Sequence, residues 1–275
     1  LKFFLVARSC CVFGLKCKRG GQTRQLACTG WVIVEEAFDG EILKAKSPVK
    51  AIVIHSRPYG EGREIVEFLT DSLGKIAGVR RLSKRYGFQR LQPFAVGLLG
   101  LSGRSSLRTV SSFEDTGRFS LAGDRVVAGF YVLELLQKFI FEGEPDQRLF
   151  KIMYLTLDGL SRSRSIEPLL RSFELEFLDI LGYGIDFTRE GATGERIYED
   201  GHYQFVFDQG FSRVSESLDK SILGRDVLRF SHELDDASDV SLKLLKRIVR
   251  DVIDGLLNGR VLTSRKLASK RLNKK

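Results

Sequence analysis

The sequence predicts an α+β protein in which a small β-barrel or sandwich is followed by a helical part. Residues 49–123 hold short alternating or β-branched runs separated by glycine-bearing turns, which is the pattern of a small barrel or sandwich. From residue 124 onward, apolar residues recur at steps of three and four, which indicates amphipathic helices. The 275 residues are 43% hydrophobic and 29% charged, an ordinary globular composition with enough length for two cores.

The strand predictions in the first part follow one another at short intervals. A turn at residues 57–62, built on Pro58 and two glycines, joins the first two of them into a hairpin. The predicted strands are "AIVIHS", "REIVEFLT", "KIAGVRRLS", "FAVGLLGLS" and "SSLRTVSSFED".

The second part is predicted to be helical with one interruption. The first helix, "DRVVAGFYVLELLQKFIFEG", ends at Glu144 and Pro145, and Asp146 can cap the next helix. A third helix opens near Pro168 and stops at glycine. The predicted helices after the first are "QRLFKIMYLTLDGLS", "IEPLLRSFELEFLDILGYG" and, after a polar strand-like insertion at about residues 183–225, "SLKLLKRIVRDVIDGLLNG".

These patterns divide the chain into three parts. Residues 1–48 lack a periodic pattern, so we expect an extension that is disordered or lies outside the natural start. Residues 49–123 form the barrel, and residues 124–275 form the helical domain, which ends in a carboxylate-free basic tail. Because no low-complexity linker separates them, the barrel and the helices are expected to pack on each other.

Charge and cysteine usage narrow the class of partner and the compartment. The formal net charge of +9, from 44 Lys and Arg against 35 Asp and Glu, favours nucleic acid first and anionic lipid second. The four cysteines, all in the extension, are neither a disulfide framework nor spaced like a zinc site. They are Cys10, Cys11, Cys17 and Cys28. The cysteine-free remainder fits a reducing cytoplasm, and we assign no metal and no cofactor.

The strongest functional signal is a stretch without carboxylates. Residues 72–113 contain no Asp or Glu but eight Lys and Arg residues, so these cations are expected to lack intramolecular partners and to be available to phosphates. The alternative is a solvated basic surface without a ligand. Together with one arginine of the first hairpin, the candidate DNA-binding residues are Arg57, Lys75, Arg80, Arg81, Lys84, Arg85, Arg90, Arg104 and Arg108.

Aromatic residues are interleaved with these cations. Tyr59, Tyr86 and Phe88 lie beside turn residues and are the candidates for stacking on unpaired bases. Phe68 and Phe94 lie in apolar alternation, which favours core packing for both.

The sequence shows no constellation that would support catalysis. The histidines, His55, His202 and His232, have no metal-ligand spacing. The glycine-rich "GLLGLSGRSS" lacks the order of a phosphate loop, and the basic stretch has no clustered acids such as a nuclease would need. We therefore predict a binding protein and not an enzyme.

A series of motifs resembles the RecO family of bacterial recombination mediators and DNA repair proteins. They occur in order from about residue 51 to residue 269, and their combined order and spacing are specific. The motifs are "IVIHSRPYGEGREIVEFLTDSLGKIAGVRRLSKR", "LQPF", "GRSSLRTVSSFE", "FYVLELLQKFIFEGEP", "LF", "LLRSFELEFLDILGYGIDF" and "GRVLTSRKLASK".

The resemblance implies an N-terminal OB-fold barrel and a helical domain. It also implies binding of single- and double-stranded DNA without catalysis, annealing of complementary strands, and loading of RecA with a RecR partner. A further implied partner is the acidic, hydrophobic C-terminal tail of the single-stranded DNA-binding protein (SSB). The basic barrel positions match the family's DNA surface.

Within the helical domain, the resemblance gives Arg171 the role of gripping the SSB tail. A guanidinium can take a terminal carboxylate with two hydrogen bonds. The alternative is that Arg171 pairs with its helix neighbours Glu167 or Glu174. The apolar candidates for the tail pocket are Tyr131, Leu149, Phe150 and Tyr154, although most of them must also serve the helical core.

Two departures from the family and two competing functions complete the sequence predictions. The segment after "LGYG" has no cysteines where some members carry a four-cysteine zinc module, and the extension has no recognised counterpart.

One competing function is an OB-fold RNA-binding factor in translation or RNA processing. The other, a peripheral membrane protein, is disfavoured because the basic tail lacks a bulky apolar face.

Overall fold

A computed structural model describes residues 48–83, 89–103, 107–162, 164–215, 221–231 and 239–272. Some of the predicted functional residues lie outside these ranges. They are Lys84, Arg85, Tyr86, Phe88 and Arg104.

Five strands form a closed barrel at the start of the described chain. They pair in the order β1-β2-β3-β5-β4, and β4 returns to β1. β3 and β5 run parallel, whereas the other neighbours are antiparallel. This is the five-stranded barrel of an OB-fold, so the predicted fold class is confirmed. The strands are β1 (Val49–Pro58), β2 (Arg63–Thr70), β3 (Gly74–Arg81), β4 (Ala95–Ser102) and β5 (Leu107–Arg118).

Alternation along the strands fills the barrel interior. Val53, Val66, Phe68 and Leu99 are fully buried in one apolar cluster, because every second residue of a strand points to the same face. Gly78 permits close packing at this point, since a Cβ there would lie 2.7 Å from Cγ2 of Val110. The interior is therefore a packed core and not a ligand cavity.

Six α-helices and a small sheet follow the barrel in the ranges that the structure describes. The helices are α1 (Asp124–Phe139), α2 (Gln147–Ser161), α3 (Ile166–Ile180), α4 (Gly224–Leu228), α5 (Asp239–Leu257) and α6 (Thr263–Leu272). Between α3 and α4 the chain forms β6 (His202–Val206), β7 (Gly210–Val214) and β8 (Ile222–Leu223), in the order β7-β6-β8. This sheet is the predicted β-rich insertion. Residues predicted as a basic tail form α6, which packs on α1.

Helix starts and stops follow local chemistry. Asp146 caps α2, because its Oδ1 accepts a hydrogen bond of 3.0 Å from the Leu149 N–H.

No helix in the described ranges is both long enough and apolar enough to cross a bilayer.

The barrel and the helices share one apolar core. Ile52, Ile54 and Leu69, on the outer face of β1 and β2, lie in the same cluster as Val132 and Leu136 of α1. The helical domain therefore covers one outer face of the barrel and leaves the turn end of the β1–β2 hairpin in solvent.

Candidate nucleic-acid interface and apolar pocket

Two arginines face each other at the exposed end of the β2–β3 pair. Arg63 and Arg81 are directly opposite in the antiparallel register, and both are exposed. Neither forms an ion pair with another residue that the structure describes. Like charges placed directly opposite each other destabilise a sheet, so this arrangement is more favourable when an anion lies between the two side chains.

Arg57 and Tyr59 extend this cluster along the first hairpin. Arg57 is the register partner of Ile65, which places it on the same face as Arg63, two residues away along β2. Tyr59 is 44% exposed, and the Arg63 guanidinium lies 5.7 Å from the centroid of its ring. We call Arg57, Tyr59, Arg63 and Arg81 the arginine end of the barrel. It joins phosphate-binding groups to an aromatic ring that can stack on a base.

Arg63 was not among the residues predicted from the sequence. It lies outside the carboxylate-free stretch, because Asp71 separates it from residues 72–113. The turn at residues 71–73 joins β2 to β3 and sets the register that brings Arg63 opposite Arg81. Strand register is therefore the signal that could have found it.

Arg80 does have an intramolecular partner, contrary to the expectation from the carboxylate-free stretch. Its Nη1 lies 2.8 Å from Oε1 of Glu64, the residue directly opposite on β2. Glu64 is fully buried, and the same oxygen accepts a 3.3 Å hydrogen bond from the Leu91 N–H. A stretch without acids says nothing about acids on the neighbouring strand, and this is why the expectation fails.

Removing the Arg80 guanidinium is expected to lower stability as well as DNA affinity. The Arg80→Ala variant leaves the Glu64 carboxylate buried with only one weak donor, at a cost of about 2 kcal/mol. Chemical denaturation of this variant beside Glu64→Gln/Arg80→Ala checks the cause, because the double variant should recover most of the loss. Equal destabilisation of both variants would contradict this account of the pair.

Lys75 lies at the junction of barrel and helices and not on the open barrel surface. It is only 8% exposed, and its Nζ donates a 3.3 Å hydrogen bond to the Gln137 carbonyl of α1. Burial lowers the pKa of Lys75, against the opposing effect of Glu67 and Glu142. This placement corrects the expectation for Lys75, because the helical domain covers the part of β3 that carries it.

The Lys75→Met variant is expected to bind single-stranded DNA within twofold of the wild type. Its thermal stability should fall by an amount equivalent to about 1 kcal/mol, because the Gln137 carbonyl loses a donor. Fluorescence anisotropy and thermal melting test the two expectations together. A large loss of DNA affinity would mean that Lys75 does contact DNA.

Two further predicted cations fall elsewhere on the barrel. Arg90 is exposed between β3 and β4. Arg108, on β5, is partly exposed and lies opposite Gly78 of β3. Neither forms an ion pair within the described ranges, so both stay candidates for contacts with phosphate.

A second candidate site is a cavity of about 370 Å³ bounded by α1, α3, α5 and α6. Its apolar lining includes Val127, Ala128 and Leu170. Its cationic lining comprises Arg171, Lys246, Arg250 and Arg265. We call this cavity the apolar pocket. Three carboxylates, Asp124, Glu167 and Glu174, also line it, and Glu167 is ion-paired with Lys246. An apolar floor with more cations than carboxylates suits a ligand that carries both an apolar group and negative charge.

Arg171 is held in this pocket by a buried hydrogen-bond network. Its Nη2 donates to Oε1 of Glu174 at 2.8 Å, and the Tyr131 hydroxyl donates to the same oxygen at 2.5 Å. The pairing of Arg171 with Glu174, one of the two alternatives from the sequence, is therefore present. Nε and Nη1 of Arg171 are buried with no hydrogen-bond partner among the described residues, so two of its donors are left unpaired beside the cavity.

Burial raises the pKa of Glu174, against the opposing effects of Arg171, the Tyr131 hydroxyl and Arg265. Burial and the Glu174 carboxylate also raise the pKa of Tyr131, so its hydroxyl stays a donor. Glu174 thus holds Arg171 by a hydrogen bond, and the positive charge of Arg171 in turn favours the ionised form of Glu174.

The structure brings Tyr131 and Arg171 together but leaves the other predicted pocket residues elsewhere. Leu149 is 1% exposed inside the helical core, and Phe150 packs against the same core. Tyr154 is exposed, and its ring lies 5.2 Å from that of Phe119. None of these three lines the apolar pocket, because all three lie on α2 and the pocket is bounded by α1, α3, α5 and α6.

Metal-ligating side chains form no cluster in the part of the chain that the structure describes. There, no group of three or more His, Cys, Asp and Glu residues is arranged to hold a metal ion.

The comparison with known families agrees with this architecture. Residues 46–119 match the family described as "Recombination protein O N terminal", and residues 121–265 match "Recombination protein O C terminal". The chain belongs to the recombination protein O family. The resemblance to RecO noted in the sequence is confirmed, and the two matched regions correspond to the barrel and to the helical domain of the RecO family.

Relatives named DNA repair protein RecO cover most of the chain. That of Hahella chejuensis is 36% identical over 221 residues, which is 79% of this chain and 92% of the relative. That of Haemophilus influenzae is 34% identical over 224 residues, 79% of this chain and 94% of the relative. That of Pseudomonas entomophila is 33% identical over 230 residues, 83% of this chain and 100% of the relative.

Proposed function

We propose that this chain is a cytoplasmic DNA repair protein that binds DNA without catalysing a reaction and acts as a recombination mediator. In this role it binds single- and double-stranded DNA, anneals complementary strands and helps to load RecA onto DNA coated with SSB. The observation that carries the proposal is the arginine end of the barrel, where Arg63 and Arg81 face each other without acidic partners in the described chain.

The arginine end suits a phosphate backbone better than a compact anion. Arg57, Arg63 and Arg81 occupy neighbouring strands, so they present charge along a line and not around one point. Contacts to phosphate carry no sequence information. Sequence-independent binding is what annealing requires, because any pair of complementary strands must be accepted once their mutual repulsion is reduced.

Besides DNA at the arginine end, we propose two protein partners, SSB and RecR. The apolar pocket has the chemistry to receive the acidic, hydrophobic tail of SSB, with the terminal carboxylate next to the Arg171 guanidinium. RecR is proposed as a further partner on family resemblance alone, and we assign it no surface.

The proposal is tested by titrating labelled single-stranded DNA, duplex DNA and RNA of one sequence across a salt series. Fluorescence anisotropy should show log K falling steeply and linearly with log salt, because bound phosphates release counterions. A parallel assay should show faster annealing of complementary strands with the protein than without it. Salt-independent binding would overturn the DNA role, and a clear preference for RNA would favour the RNA-binding alternative.

A further inference from the structure

The first turn of α6 is fixed by a side chain far away in the sequence. The Glu134 carboxylate of α1 accepts hydrogen bonds from the Thr263 N–H at 2.7 Å, the Ser264 N–H at 2.9 Å and the Ser264 hydroxyl at 2.6 Å. The first N–H groups of a helix have no partner within the helix, and a carboxylate there also faces the positive end of the helix dipole. Glu134 thus anchors α6 to α1.

Glu134 is well suited to act as a permanent acceptor. Burial opposes its ionisation, but the donors on Ser264 and Thr263 outweigh burial and lower the pKa of Glu134. Its anchoring effect is therefore complete above the ordinary value of 4.5 and is lost only as the pH falls below it through the lowered pKa.

The anchored turn forms one wall of the apolar pocket. Ser264, Arg265 and Ala268 line the cavity. The Arg265 guanidinium lies 5.8 Å from the centroid of the Tyr131 ring, and it is ion-paired with Asp254 of α5. Two guanidinium groups therefore flank Tyr131, because Arg171 is linked through Glu174 to the hydroxyl of the same residue.

We infer that Glu134 is a positioning residue of the apolar pocket, which fixes α6 so that Arg265 joins Arg171 in binding the terminal carboxylate of the ligand. The inference rests on the proposed binding of an acidic peptide tail. Each guanidinium belongs to a different helix, α3 or α6, so their shared geometry depends on the anchoring of α6. Without that anchor, the ion pair with Asp254 is left to hold Arg265 while the first turn of α6 loses its contact with α1.

The test uses a fluorescein-labelled peptide of acidic residues ending in an apolar residue, prepared both as the free acid and as the C-terminal amide. The wild type should prefer the free acid. Glu134→Gln should bind the free acid about tenfold more weakly and lose much of that preference, because an amide is a poorer acceptor than a carboxylate. Affinity for single-stranded DNA should not change.

Glu114→Gln is the matched control, since Glu114 is exposed on β5 and its neutralisation changes the net charge equally. Ser264→Ala removes one of the three hydrogen bonds to Glu134, so a loss in the same direction but of about threefold is expected. This milder variant keeps the inference testable if Glu134→Gln folds poorly. Amide hydrogen exchange at Thr263 and Ser264 should become faster in Glu134→Gln.

The outcomes separate this inference from the proposed function. If the wild type binds the free acid and Glu134→Gln binds it with the same affinity and preference, the positioning role is overturned while tail binding stands. If the wild type binds neither peptide, the tail-binding proposal fails and the positioning role fails with it. Unchanged amide exchange in Glu134→Gln would overturn the anchor itself.

Discussion

Replacing Arg63 and Arg81 together by threonine is expected to weaken single-stranded DNA binding by about 30-fold at low salt. Each guanidinium can contribute about 1 kcal/mol through a charge-assisted contact with phosphate, and about 2 kcal/mol corresponds to this change. The slope of log K against log salt should become shallower by about 1.4, since each phosphate contact to a single strand contributes about 0.7.

The same double variant is expected to melt at the wild-type temperature or slightly above it. Arg63 and Arg81 are directly opposite on β2 and β3, and like charges in that position oppose strand pairing. Threonine suits a strand and can pair across it. A loss of affinity without a loss of stability would show that the arginines serve binding and not folding.

The control for this prediction is Arg196→Thr/Arg213→Thr. Both arginines are exposed in the insertion between α3 and α4, so this variant changes the net charge by the same amount away from the barrel. It should bind DNA nearly as well as the wild type in anisotropy titrations. Equal losses in the two double variants would mean that net charge alone drives binding, and the arginine end would then have no special role.

Replacing Arg171 by alanine is expected to have the largest effect on stability of any change to the apolar pocket. The side chains of Arg171 and Glu174 are only 3% and 1% exposed, so the variant leaves a buried carboxylate without its cation. Breaking a buried pair in this way costs about 3–5 kcal/mol. Replacing both residues by glutamine removes both charges, so Arg171→Gln/Glu174→Gln should stay near wild-type stability.

The two variants together separate folding from recognition. Arg171→Gln/Glu174→Gln should fold but bind a free-acid acidic peptide about 100-fold more weakly, because the charged donors to its terminal carboxylate are gone. Thermal melting and peptide anisotropy measure the two effects. If the double variant instead binds the peptide with wild-type affinity, Lys246 and Arg250 at the same pocket, and not Arg171, recognise the carboxylate.

The strands of the barrel and most helices could be predicted because their signals are local. Alternation and turn glycines predict β1 to β5, and the Asp146 cap after a proline break predicts the start of α2. Helix α6 was missed because its apolar periodicity is weak and its first turn is anchored by Glu134, about 130 residues earlier. A contact between distant segments leaves no local signal.

The candidate sites show the same division between local and distant information. The carboxylate-free stretch predicts a basic barrel surface. However, Arg80 forms an ion pair with Glu64 on the adjacent strand, and α1 covers Lys75. Register and domain packing decide both outcomes, and neither can be read from composition. Arg171 was assigned through family resemblance, whereas its buried link to Tyr131 through Glu174 required the fold.

The shared core of barrel and helices limits how the protein can be dissected. A fragment ending at Phe119 would expose Ile52, Ile54 and Leu69, which α1 covers in the whole chain. Exposed apolar patches of this kind promote aggregation, so the barrel is a poor candidate for isolated expression. Since neither part can lose the other without uncovering this surface, thermal unfolding of residues 49–272 should be a single cooperative transition.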